Sequence, residues 1–259
     1  MSPEYPFNYA VVFMLGLLFG SFANVCIYRL PRRLSIIFPG SHCPSCQEAL
    51  RPWHNIPLLS YLLLAGQCAM CKTTISPRYP LIELSNGLLY IFLYHQYHVS
   101  VQTVVFALLT TALLIVSCID LAHMIIPDAI TLPGIVVGLG TSFWLTPVGV
   151  RNAVLGVMLG GGLFLLMAIL SVVILKREGM GGGDIKLIAM LGAFLGWHTV
   201  LVTIFLAAVL GACVGLTLIF LRRKGRREPL PFGPFLALGA LLAMVWGDTI
   251  LTWYVSHSL

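Results

Sequence analysis

"GMGGGDIKLIAMLGAFLGW", residues 179–197, decides how many times the chain crosses a membrane. Four of its first five residues are glycine, an acid and a lysine follow, and an apolar run covers about 185–198. That run is shorter than the ~17–25 residues of an ordinary spanning helix. Seven longer apolar stretches lie near 9–30, 80–98, 101–121, 129–147, 152–175, 199–221 and 232–254. Charge argues that the short run is an eighth crossing. With eight, Arg151 alone of the 15 Lys and Arg residues falls on one side, and all the others fall on the opposite side. With seven, the separation is scrambled. The positive-inside bias makes the basic side cytoplasmic and puts both termini outside.

Composition agrees with this pattern. Hydrophobic residues make up 59% of the 259 residues and charged ones only 9%, with a mean hydropathy of +0.96. Ordinary soluble domains carry roughly a quarter charged residues. The expected fold is an all-α polytopic membrane protein of about eight transmembrane helices, embedded in the lipid bilayer. The first apolar stretch lacks a basic leading segment and a small-residue cleavage site, so it is expected to be a retained helix rather than a signal peptide. The formal charge of +6 reflects topology and does not predict a nucleic-acid partner. The basic run "RRKGRRE" at 222–228 is expected to be a solvated stop signal facing lipid headgroups.

One sizeable polar insertion interrupts the apolar pattern. The expected organisation is a first transmembrane helix over 1–30, a cytoplasmic insertion over 31–79 and a helix bundle over 80–259. Fragments as short as the insertion need a metal or disulfides to fold. It carries "CPSC" and "CAMC", giving Cys43, Cys46, Cys68 and Cys71 with 21 residues between the pairs. Two C-x2-C pairs offer four thiolates to one tetrahedral ion, a closed structural zinc site. Two disulfides are the alternative, disfavoured by a reducing cytoplasm. His42 and His54 are expected to be bystanders. Cys26, Cys118 and Cys213 fall in apolar stretches, where cysteine behaves as a small apolar side chain.

Only nine acidic residues exist, so each can be weighed. Glu4, Glu48, Glu178 and Glu228 belong to polar segments, and Asp248 lies near the outer face. Glu83 follows Pro80, where an acid in a first helical turn suits the helix dipole. Asp128 follows Pro127 and is expected to cap the next helix, and His123 to be a hairpin residue. Asp120 and Asp184 remain. Both fall at the cytoplasmic edge of the bilayer, where ionisable groups are costly and functional by default. Two carboxylates at one depth suggest an aspartyl dyad, one charged to activate water and one protonated to donate to a carbonyl. Asp184 opens its helix and Asp120 closes its own, so helix ends predict Asp184 as the base. Gly181, Gly182 and Gly183 are expected to let a substrate backbone approach Asp184 closely.

The motifs resemble those of the type IV prepilin peptidases over nearly the whole chain. "GSFANVCIYRLPR" from Gly20, the two C-x2-C pairs, "RPWHNIPLLSYLLLAGQC" from Arg51 and "RYPLIEL" from Arg78 are similar to that family's N-terminal region. "IDLAHMIIPDAITLP" from Ile119 and "GMGGGDIKLIAMLGAFLGW" from Gly179 resemble its two active-site segments. The resemblance implies catalytic aspartates at Asp120 and Asp184. One departure is Ala122, where many members carry a further aspartate. It also implies removal of a short basic leader from prepilins or pseudopilins in the bacterial inner membrane, in type IV pilus or type II secretion systems. N-methylation of the new N-terminus by S-adenosylmethionine would follow, an activity associated with the zinc-bearing insertion. No dinucleotide-type fingerprint is present, so the residues holding the methyl donor stay unassigned. Two rival readings are a transporter or channel using the paired acids as ion ligands and a zinc-anchored scaffold without catalysis.

Overall fold

The computed structural model describes residues 6–43, 45–145, 147–176, 179–221 and 230–258. Glu4, Glu178 and the basic run at 222–228 lie outside the described residues. The chain divides into two compact units, Met1–Ile115 and Val116–Leu259. Helices carry both, and among the described residues the only β pairing is two isolated antiparallel bridges in the insertion, His42 with Ala49 and Gln67 with Thr74.

The first unit contains α1 (Pro6–Arg29), the short α2 (Leu59–Leu63), α3 (Arg78–Tyr97) and the opening turns of α4 (Val101–His123). Gly16 and Gly20 lie four residues apart on one face of α1, and α3 packs directly onto them. A Cβ at Gly16 would stand 2.7 Å from the Gly87 Cα, and one at Gly20 would stand 2.8 Å from the Glu83 Cα. Hydrocarbon offers no driving force between helices, so small residues and buried polar bonds hold them. Asn86 supplies those bonds. Fully buried, it donates from Nδ2 to the Gly16 carbonyl at 2.7 Å and accepts the Thr111 hydroxyl on Oδ1 at 3.0 Å. Tyr90 Oη shares a further 3.0 Å bond with Thr111.

The second unit holds the end of α4, then α5 (Asp128–Trp144), α6 (Val150–Leu175), α7 (Gly182–Phe220) and α8 (Gly233–Ser258). The 39 residues of α7 are two arms that turn at Gly196, whose φ of 77° and ψ of 173° are open to glycine and strained for other residues. The first arm is the centre of the unit, with Leu187 through Leu195 all buried. Close backbone approach to α6 explains how. A Cβ at Gly192 would fall onto the Gly156 carbonyl and within 2.8 Å of the Val157 nitrogen. Backbone cannot yield as a side chain can, so Gly192→Val is expected to cost ~3 kcal/mol, the top of the usual overpacking range. A lowered melting temperature in detergent would register it, and an unchanged one would count against this packing.

The outer face of α6 is apolar and exposed, with Leu165, Met167, Val173 and Ile174 each about half or more accessible. That is a surface for lipid. By length and apolarity alone, four described helices can cross a bilayer: Asn8–Arg32, Val101–His123, Val150–Ile174 and Gly182–Phe220. A fifth is the pair Gly233–Gly247 and Thr249–Ser256, bent by 67°. This count is lower than the eight crossings expected from charge, for physical reasons. Helix α3 carries Arg78, Glu83 and Asn86, α5 has only 17 residues, and both arms of α7 fall within one element.

Candidate functional site

The insertion brings Cys43, Cys46, Cys68 and Cys71 together, with all four Sγ atoms within 4.8 Å of one another. The two C-x2-C turns are the same structure twice. Cys43 N–H donates to the Glu48 carbonyl and Cys68 N–H to that of Thr73, at 3.0 and 2.9 Å. Gln47 and Lys72, each one residue past the second cysteine, share a positive φ of 60° and 59°. Each turn thereby aims two thiols at one point. Cys43 and Cys71 Sγ are 3.8 Å apart. A tetrahedron of thiolates at ~2.3 Å from a zinc ion has edges of about 3.8 Å, whereas a disulfide needs ~2.05 Å. The four cysteines are free thiols, so the disulfide alternative is not the arrangement here.

The surroundings favour thiolates at two of the four positions. The Cys46 backbone N–H holds the Cys43 thiol below its ordinary value. The Thr73 hydroxyl, 3.3 Å away, with the Thr73 backbone, lowers Cys71 to about 6. Cys46 goes the other way, to about 11: the Glu48 backbone favours its thiolate, but desolvation and the Cys71, Cys43 and Cys68 thiols outweigh that. Such a set fits a cation that replaces the shared protons. His42 bonds through Nδ1 to the Gly40 carbonyl and is not part of the cluster.

In the second unit, α4 and α7 each deliver one carboxylate. Asp120 occupies the last turn of α4, which ends as Met124 turns to a φ of 54° while its N–H donates to the Asp120 carbonyl at 2.8 Å. Its side chain is 5% exposed. Asp184 lies in the first turn of α7, half-buried, its N–H donating to the Gly181 carbonyl at 3.1 Å. The two carboxyl groups are near enough to interact through space.

Sequence reasoning misses a third member, Gly233. Its N–H opens α8 and donates to Asp120 Oδ2 at 2.8 Å. A Cβ here would lie 2.8 Å from that oxygen and 3.2 Å from Cγ, so any other residue would displace the carboxylate. The signal that could have found it is "FGPF" at 232–235, a glycine and proline at a helix start. Asp120 therefore sits at the C-terminus of one helix and the N-terminus of another. Helix ends alone no longer separate it from Asp184.

The glycine run is less uniform than expected. A Cβ at Gly183 would meet Ile126 Cβ at 2.8 Å, one at Gly181 would meet Asp184 Oδ2 at 3.2 Å, and Gly182 faces open space. Gly183 thus lets the segment after α4 lie against the start of α7. Asp128 corrects the sequence expectation, because its side chain caps nothing. It pairs instead with Lys186 Nζ, at 2.7 and 2.8 Å through its two oxygens, tying the two motifs together. With side chains 40% and 54% exposed, such a pair contributes only ~0–1 kcal/mol. Glu83 is a second correction. Helix α3 starts at Arg78, so Glu83 is beyond the first turn, and it is buried with the Leu58 N–H 2.9 Å from Oε2.

Two family descriptions match the chain, the bacterial peptidase A24 N-terminal domain over residues 14–97 and the type IV leader peptidase family over 107–216. The second spans both Asp120 and Asp184. A prepilin leader peptidase/N-methyltransferase of Pseudomonas putida is 39% identical over 272 residues, covering 96% of this chain and 94% of that protein. The chain belongs to the type IV leader peptidase family. Proteins of the same name from Pseudomonas aeruginosa and Aeromonas salmonicida are 37% and 36% identical, each match covering at least 92% of both chains. No solved structure matches. The leader peptidase family and these full-length relatives lend no support to the transporter reading of the paired acids.

Proposed function

We propose that the protein is a multi-pass inner-membrane aspartyl endopeptidase that removes the basic leader of prepilins or pseudopilins and then N-methylates the new terminus. The observation that carries the peptidase reading is the pairing of Asp120 with Asp184, two acids from separate motifs in an otherwise acid-poor chain. One carboxylate takes a proton from a water molecule as that water attacks the scissile carbonyl. The protonated partner donates to the carbonyl oxygen, and the proton then passes to the leaving amine. Gly233 holds Asp120 in place through its 2.8 Å bond. Within the glycine run Gly182 faces open space, which leaves room there for an extended substrate backbone near Asp184. The basic insertion, and with it the cleavage site, faces the cytoplasm in this reading, with both termini outside.

Cys43, Cys46, Cys68 and Cys71 would hold a structural zinc ion that fixes the insertion. S-adenosylmethionine would supply the methyl group for the new α-amino nitrogen. The test is to incubate purified protein in detergent with a prepilin and labelled S-adenosylmethionine. Leader loss with methyl incorporation is expected, and an intact prepilin would sink the reading. Gly233→Ala would push the Asp120 carboxylate aside by a fraction of an ångström, and a full ~1 Å misplacement costs ~10²-fold in rate. Its kcat/KM for cleavage is expected to fall measurably but by less than that factor, with an unchanged melting temperature.

A further inference from the structure

The first unit contains a cavity of about 470 Å³, walled by the C-terminal turns of α1, the insertion and the start of α3. Its size falls within the ~300–1,000 Å³ typical of small-molecule and cofactor sites. Two buried groups of opposite charge line it, Arg29 at 7% and Glu83 at 8% exposure. They are not paired with each other. Among the described residues Glu83 receives only neutral donors, the Leu58 N–H at 2.9 Å and the Ser21 hydroxyl. Among the same residues Arg29 gives only to backbone carbonyls, those of Ser35, Pro39 and Gly40 at 2.8, 2.7 and 3.2 Å. A guanidinium has five N–H donors, so at least two of them remain uncommitted among the described residues. Buried charges are costly unless paired, and a cavity holding one of each sign suits a zwitterion. Tyr28, Tyr61 and Tyr79 add flat walls suited to an aromatic base.

We propose that this cavity seats the methyl donor, S-adenosylmethionine, with Glu83 facing its cationic groups and Arg29 its carboxylate. The inference rests on the methyltransferase reading above. A peptide N-terminus carries the positive charge but no neighbouring carboxylate, so it satisfies Glu83 and leaves Arg29 unmatched. The donor carries both charges and an adenine. The insertion gains a role as well, because the folded zinc turns contribute Cys43 and Cys68 to the cavity wall.

The test uses the full chain in detergent with its metal bound. Labelled S-adenosylmethionine is cross-linked by ultraviolet light and the labelled peptides are mapped. Label is expected within 21–29, 54–61 or 73–83 and should be competed away by S-adenosylhomocysteine. In equilibrium binding, E83Q is expected to weaken affinity about tenfold or more, since a charged hydrogen-bond partner is removed. Metal content and melting temperature report whether E83Q is folded. Label confined to residues 116–259, or unchanged affinity in folded E83Q, overturns this site while methylation of prepilin keeps the methyltransferase reading. Failure of the unaltered protein both to bind the donor and to methylate overturns the two together.

Discussion

Asp120→Asn and Asp184→Asn are each expected to abolish leader cleavage, by ~10⁴-fold or more, while leaving the protein folded. An amide can neither take a proton from water nor return one to the leaving amine, and each of these proton transfers alone is worth ~10²–10⁴. The two groups work as one unit, so the double variant is expected to be no slower than either single one. Asparagine at 120 keeps an oxygen to accept the Gly233 N–H, so the α4–α8 contact should survive. Asp184 is only half-buried, and asparagine keeps an oxygen and the same size in its place, so the substitution should not lower stability. Cleavage by purified variants, read beside their melting temperatures, gives the answer. Substantial peptidase activity in folded D184N would remove Asp184 from the chemistry and leave Asp120 without a partner.

The parts of this arrangement legible in the sequence are those encoded locally or by scarcity. Two C-x2-C turns announce themselves because chain connectivity fixes their geometry within a few residues. The acids stand out because an apolar chain has so few. The break within α7 is expected near 198 from the apolar pattern and occurs at Gly196. The illegible parts are long-range or depend on helix register. Gly233 meets Asp120 across 113 positions, and no local pattern links "FGPF" to that carboxylate. Asp128 looks like a cap because an acid after proline at a helix start often is one, and the Lys186 that claims it is 58 positions away. Glu83 belongs to a first turn only if Pro80 begins the helix. Proline is tolerated throughout the first turn, where its missing N–H would have no partner. Helix α3 therefore starts earlier, at Arg78, and Glu83 turns inward.

Removing the metal from the four cysteines is expected to unfold the insertion and stop methylation while leader cleavage continues. Beyond the bonds that Arg29 and Glu83 make to its backbone, the insertion has little else to hold it. Among the described residues its regular structure amounts to one short helix, two 3-10 turns and two isolated bridges, and Ile37, Phe38, Leu62 and Leu63 are largely exposed. Structural zinc supplies ~10–16 kcal/mol of apparent folding free energy to small peptides at neutral pH, far beyond what such a fragment gains from burial. The sign of the pH dependence follows from the ligands. Thiolates bind the ion, so protons compete as pH falls and acidification releases it. A strong chelator, or paired Cys43→Ser and Cys68→Ser substitutions, should render residues 31–79 protease-sensitive and abolish methyl incorporation. Asp120, Asp184 and Gly233 all belong to the Val116–Leu259 unit, so their chemistry does not draw on the thiols. Cleavage is thus expected to stay within about tenfold of its original rate, on the order of 1.4 kcal/mol of barrier. Metal content, limited proteolysis and the two activities, read from one sample, make the test. An insertion that stays protease-resistant and methylating without its metal would show that something other than the four thiols holds it.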